Sequence, residues 1–93
     1  MTKLIGTIRI RPNPRSDTMG PHFTIDFQPY SGRLNTQTVR ASTYDELVEF
    51  LLGIRIGEDD ATRFAGQARS QGVVLIPGIE RTEAQLRDSG LLA

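Results

Sequence analysis

The three residue types of a hydrolase triad occur close together, as Ser16, Asp17 and His22. A serine nucleophile needs a histidine base and a carboxylate to orient it, each held by a rigid support. Here all three belong to or border one stretch rich in proline and glycine, residues 12–21, and no strained turn surrounds the serine. We therefore interpret this stretch as an exposed loop, and we expect no catalytic residue and no enzymatic activity.

A run of three carboxylates, Glu58, Asp59 and Asp60, is the next candidate for chemistry. Hard cations need several converging oxygen ligands, but adjacent helical residues point about 100° apart. These carboxylates instead suit the first turn of a helix, where they compensate its dipole. With one histidine and no cysteine, a zinc site has almost no ligands, and no glycine-rich phosphate motif is present. We expect no metal and no cofactor.

Charge is distributed unevenly along the 93 residues, although the net charge is zero. Residues 1–40 hold six basic and two acidic side chains, whereas residues 41–93 hold five arginines and nine carboxylates. Arginine favours bidentate contacts with carboxylates and phosphates. Any anionic partner is therefore expected to bind the N-terminal half, and the candidate partner-binding residues are Arg9, Arg11, Arg15, Arg33 and Arg40.

Strands are predicted wherever apolar and polar residues alternate or an apolar run is short. The first covers residues 3–11 and the second residues 22–28, which we expect to pair antiparallel. Residues 35–41 predict a third strand. Residues 73–76 form a continuous apolar run that predicts a buried strand, ended by Pro77 and Gly78.

Helices are predicted from capping residues and from apolar spacing of three and four. Thr43 with Glu46 forms a capping box, and Gly53 ends that helix. Residues 58–71 predict a second helix with a small apolar face, ended by Gly72. Thr82 with Gln85 forms another capping box, which begins a short helix that ends near Gly90.

These elements predict one α+β domain over residues 1–93, in the order β-β-β-α-α-β-α. The sheet is expected to be mainly antiparallel, with helices covering one face. The core is predicted to contain twelve apolar side chains: Leu4, Ile8, Ile10, Phe23, Ile25, Phe27, Val39, Leu47, Leu51, Phe64, Val74 and Ile76.

The opposite sheet face is predicted to be polar and somewhat basic, with Arg9, Arg11 and Arg40 on it. Sheet platforms for single-stranded nucleic acid need exposed aromatic rings, whereas Phe23 and Phe27 are predicted to face the core. The two central helices have helix-turn-helix spacing, but the second begins with carboxylates that a polyanion would repel. A weak nucleic-acid binder that uses the N-terminal arginines remains the alternative function.

The leading hypothesis is a non-enzymatic protein-interaction module, and a homo-oligomer is one form of it. Its partner would cover the open sheet face or an edge strand, where Ile5 and the Leu91 and Leu92 tail offer apolar surface. No run of residues approaches the length of a membrane span, and Gly6, Arg9 and Arg11 interrupt any signal-peptide core. We therefore expect a cytoplasmic protein that does not bind membranes.

Overall fold

The structure, a computed structural model, describes residues 3–13, 22–32 and 35–93. Its elements follow the predicted order, β-β-β-α-α-β-α. They are β1 (Lys3–Asn13), β2 (His22–Pro29), β3 (Val39–Ala41), α1 (Tyr44–Gly53), α2 (Glu58–Gln71), β4 (Val74–Thr82) and α3 (Glu83–Asp88).

The four strands form one sheet in the order β3-β2-β1-β4, and every neighbouring pair is antiparallel. The central strand, β1, is longer than predicted because Pro12 and Asn13 pair with Phe23 and His22. Proline is tolerated there because the ladder with β4 reaches only Ile10, so the other side of Pro12 needs no ladder hydrogen bond. The loop prediction is therefore wrong for Pro12 and Asn13, and residues 14–21 lie outside the described part of the chain.

The last strand continues through the residues that were expected to end it. Pro77 and Gly78 form a β-bulge, since the register with β1 shifts by one residue between Gly6 and Ile8. Gly78 adopts a left-handed φ of 70°, a conformation that glycine accepts at little cost. Glycine and proline thus bend β4 here without terminating it.

The predicted third strand is wrong at its N-terminal end. Only Val39–Ala41 pairs with β2, while residues 35–37 bond to the C-terminal tail. The Gln37 N–H donates to the Leu91 carbonyl at 2.9 Å, and the Ala93 N–H donates to the Asn35 carbonyl at 2.8 Å. Leu91 and Leu92 are consequently buried in the core, so the tail is not the exposed apolar surface that we expected.

Of the two predicted capping boxes, the one at α3 is complete, whereas at α1 the Glu46 side chain bonds to the amide of Ser42 instead of that of the N-cap residue Thr43. At α1 the Thr43 hydroxyl accepts from the Glu46 N–H, and the Glu46 carboxylate accepts from the Ser42 N–H at 2.7 Å. At α3 the Thr82 and Gln85 side chains bond to each other's backbone N–H. These bonds satisfy amide groups that a helix start leaves without intrahelical partners.

The core lies between the sheet and the helices. Nine of the twelve predicted core side chains are buried, while Leu4, Val39 and Phe64 pack partly buried against the same cluster. The buried alanines of α2, Ala61, Ala65 and Ala68, let that helix approach closely. No helix of the described residues covers the other face of the sheet, which carries the polar side chains of β1 and β2. No helix within the described residues is long and apolar enough to cross a bilayer.

Candidate protein-interaction surface

Cross-strand pairing determines which side chains are neighbours on the open sheet face. Arg9 of β1 lies between Asp26 of β2 and Leu75 of β4. Thr24 of β2 lies between Arg11 of β1 and Arg40 of β3. Residues directly opposite in an antiparallel sheet point to the same side, so each set forms a row across the face.

The first predicted partner-binding residue, Arg9, already has a counter-ion. Its Nε donates to Asp26 Oδ1 at 3.1 Å and its Nη2 donates to Asp26 Oδ2 at 2.8 Å. The hydrogen bond to Asp26, together with the carboxylate charge, raises the pKa of Arg9. Arg9 was predicted to face outward, but its pairing with Asp26 depends on strand register, which alternation alone does not give.

Two other predicted arginines, Arg11 and Arg40, are exposed and form no ion pair within the described residues. They lie on either side of Thr24, two strand spacings or about 10 Å apart. Arg15 and Arg33 fall outside the described residues. The structure therefore brings two free cations together on the face, beside one that is paired.

Four large side chains are exposed on the same face, and exposure of Ile5 among them was expected from the sequence. Val73 is 60% exposed, Leu75 58%, Tyr30 59% and Ile5 45%. We call these four residues the apolar strip. Val73 and Leu75 belong to the run that was predicted to be a fully buried strand. The prediction is wrong for these two because β4 has helices on one face only, so alternate side chains point into solvent.

Tyr30 connects the strip to the bulge in β4. The Gly78 N–H donates to the Tyr30 hydroxyl at 2.7 Å, and the Thr7 hydroxyl lies 3.5 Å from the same oxygen. The hydrogen bond from Thr7, followed by that from Gly78, lowers the pKa of Tyr30. The Tyr30 side chain thereby extends from the end of β2 across β1 to β4, and its ring lies over the open face.

The outer edge of β4 has no strand beside it in the described part of the chain. Proteins usually protect such an edge with charges, a bulge or a short strand. Residues 72–77 include no charged side chain, and the bulge begins only at Pro77. An unprotected segment of edge therefore lies directly beside Val73 and Leu75.

The other sites suggested by the sequence do not gain support. Ser16 and Asp17 lie outside the described residues, and His22 opens β2 opposite Asn13. Glu58, Asp59 and Asp60 occupy the first turn of α2, where Asp60 pairs with Arg63 at 2.9 Å. Among residues 3–13, 22–32 and 35–93, no group of three potential ligands is placed to hold a metal ion.

Comparisons with protein-family models, with curated proteins and with solved structures each found no match.

Proposed function

We propose that this protein is a non-enzymatic protein-interaction module whose partner is a second copy of the chain, bound along the β4 edge. The observation that carries the proposal is the coincidence of an uncharged, unpaired edge segment with the exposed side chains of Val73 and Leu75. An open edge supplies backbone hydrogen bonds to an added strand, and neighbouring side chains supply apolar contact.

A second copy fits this edge because the segment is complementary to itself. In a two-fold antiparallel pair the central residue lies opposite its own counterpart and the flanking residues lie close to theirs, so charged side chains in the segment would bring like charges together. Residues 72–76 carry none. The basic and acidic halves of the chain would also attract each other between copies, which assists encounter.

The register follows from Pro77, which has no N–H to donate. Centring the pair on Val74 leaves Pro77 outside the short ladder. Val73 then lies opposite the second copy's Leu75, and Leu75 opposite its Val73, which joins four apolar side chains on the open face. Centring on Leu75 would instead place Val73 opposite proline.

The expected association is weak and depends on concentration. A ladder of about five residues with four apolar side chains is smaller than the roughly 1,200 Å² of a stable interface. Sedimentation equilibrium from micromolar to millimolar concentration should therefore show a monomer–dimer equilibrium.

Leu75→Asp should abolish this dimer, because it places a carboxylate inside the contact. Leu52→Asp is the matched control: Leu52 is an exposed apolar residue, 42% accessible, but it belongs to α1. The control should dimerise like the wild type. A wild-type chain that stays monomeric at millimolar concentration, or dimers unaffected by Leu75→Asp, would overturn the proposal.

Arg11 and Arg40 support the alternative, a weak nucleic-acid binder, because both guanidinium groups are exposed and lack carboxylate partners in the described structure. Against it, the exposed aromatic side chain on this face is Tyr30 alone among the described residues, and Phe23 and Phe27 are buried. Mobility of a labelled oligonucleotide at low and moderate salt separates the two. Binding that is lost in Arg11→Gln/Arg40→Gln but kept in Arg63→Gln would establish the alternative.

A further inference from the structure

A cavity of about 310 Å³ lies on the helical side of the sheet, between the C-terminal end of α1 and the helix α3. Its lining includes the apolar residues Phe50, Ile54 and Leu86 and the charged residues Arg55, Arg81 and Asp88. Its size is at the lower end of small-molecule pockets. The apolar strip is on the opposite side of the sheet, so this cavity is separate from the proposed association surface.

The guanidinium of Arg81 is fixed in the cavity wall by three backbone carbonyls. Its Nε donates to Ile54 at 2.7 Å, its Nη1 to Glu80 at 2.7 Å and its Nη2 to Arg55 at 3.3 Å. A guanidinium has five N–H groups, so one on each Nη is left. No carboxylate in the described residues forms an ion pair with Arg81. Arg81 is thus a positioned, part-buried cation without a counter-ion.

Arg55 brings a second cation to the cavity through an unusual backbone conformation. Its φ of 66° is left-handed, and it is the non-glycine residue with positive φ in the described chain. The conformation belongs to a Schellman motif that ends α1, in which the Arg55 N–H donates to Leu52 and the Ile56 N–H to Leu51. Glycine is the residue that this position favours, so arginine is held here against a steric cost.

The negative potential at the ends of α1 and α3 is reduced, because several carbonyls there already accept hydrogen bonds. Arg81 covers the carbonyls of Ile54 and Arg55, as described above. At α3 the Leu86 carbonyl accepts from the Leu91 N–H at 3.0 Å and from the Ser89 hydroxyl at 2.8 Å. Two arginines and Asp88, which forms no ion pair with the described residues, therefore set the charge of the cavity, which is net positive by one.

We propose that this cavity binds a small monocarboxylate with an apolar body. The planar carboxylate matches the free N–H groups of Arg81, with Arg55 as a second donor, and the apolar body lies on Phe50, Ile54 and Leu86. The Asp88 carboxylate repels ligands that carry more than one negative charge. The cavity is therefore expected to prefer a monoanion to phosphate.

Titration of the backbone amides by two-dimensional NMR tests this with three probes: isocaproate, its neutral analogue isocaproamide, and inorganic phosphate. Isocaproate should shift the amides of residues 54–56 and 80–82 saturably. Isocaproamide should bind about tenfold more weakly, because it loses a charge-assisted hydrogen bond. Equal shifts with isocaproate and its amide, or no saturable shift, would overturn the proposal.

Arg55→Gly distinguishes ligand binding from a purely structural role. It removes both the left-handed strain and the guanidinium, so its melting temperature should rise while its affinity for isocaproate falls several-fold. Arg63→Gln, which removes a cation on α2, should leave the affinity unchanged. Asp88→Asn should strengthen phosphate binding. A more stable Arg55→Gly variant with wild-type affinity would contradict the assignment of Arg55.

Discussion

Arg9 and Asp26 form a bidentate ion pair across the β1–β2 ladder, with both carboxylate oxygens accepting from one guanidinium. The pair is partly shielded, since the two side chains are 31% and 16% exposed. It lies at the centre of the open face, in the row that ends at Leu75. Arg9 therefore contributes to strand register rather than offering a free cation to a partner.

A double-mutant cycle with Arg9→Gln and Asp26→Asn should reveal this pairing. We expect a small but measurable favourable coupling free energy, because the pair is bidentate but remains partly solvated. Urea unfolding of the four proteins measures it. A coupling of zero would mean that Arg9 is available to bind a partner after all.

Gly6 lies directly against the ring of Phe27, which is buried in the core. A Cβ at position 6 would come within 2.7 Å of Phe27 Cζ and would also meet the backbone of β2. Gly6→Ala should therefore destabilise the protein by roughly 1–3 kcal/mol, as overpacking does. Phe27→Ala, which leaves a cavity, should cost roughly 3–5 kcal/mol.

Gly66→Ala is the matched control for that substitution. A Cβ there meets no atom within 4 Å, and Gly66 lies inside α2. Alanine should stabilise the helix by roughly 0.5–1 kcal/mol because it restricts the unfolded chain. The denaturant midpoint should fall in Gly6→Ala and rise in Gly66→Ala. If both midpoints move in the same direction, the packing of Phe27 against Gly6 is contradicted.

Tyr30 should ionise below the ordinary tyrosine pKa of about 10, because Thr7 and Gly78 donate to its hydroxyl. The ultraviolet absorbance of phenolate measures this in a Tyr44→Phe background, which leaves Tyr30 as the remaining tyrosine. Thr7→Val should raise the pKa of Tyr30. An unchanged pKa in Thr7→Val would show that the contact with Thr7 is absent in solution.

The same contact makes stability depend on pH in a defined direction. The pKa of Tyr30 is lower in the folded chain than in the unfolded chain, so folding favours the phenolate. The resulting stabilisation is fully present above the unfolded pKa of about 10, and it is lost as the pH falls through the folded pKa. In the Tyr44→Phe background, an additional Tyr30→Phe substitution should remove this alkaline gain in urea unfolding experiments.

Patterns local in sequence predicted the helices, the strands and the core-facing side of the sheet. They did not predict strand register or which strand lies at the edge of the sheet. Alternation identified Ile8, Phe23 and Ile25 as core, and the capping residues Thr43 and Thr82 marked two helix starts correctly. The pairing of Arg9 with Asp26 depends on which residues of β1 and β2 lie opposite, which needs the ladder itself. The burial of Leu91 and Leu92 depends on a contact with residues 35–37, more than fifty positions away in the chain.

The candidate surface was missed for a related reason. A continuous apolar run predicts burial on both faces, and nothing within residues 73–76 shows that the strand lies at a sheet edge with one face open. The bulge at Gly78 also looked like a strand end, because proline and glycine mark turns more often than bulges.

Cysteine cross-linking across the β4 edge tests the central claim most directly, because the chain has no cysteine of its own. In the register centred on Val74, the double variant Val73→Cys/Leu75→Cys places each thiol opposite a thiol of the second copy. Paired residues in an antiparallel ladder have Cα atoms about 4.5–5.5 Å apart, within the range of a disulfide. Under mild oxidation we predict covalent dimers from the double variant and few from Leu75→Cys alone, whose thiols are diagonal to each other. Leu52→Cys, with its thiol on α1, is the control and should stay monomeric. A double variant that forms no more covalent dimer than this control would contradict association through the β4 edge.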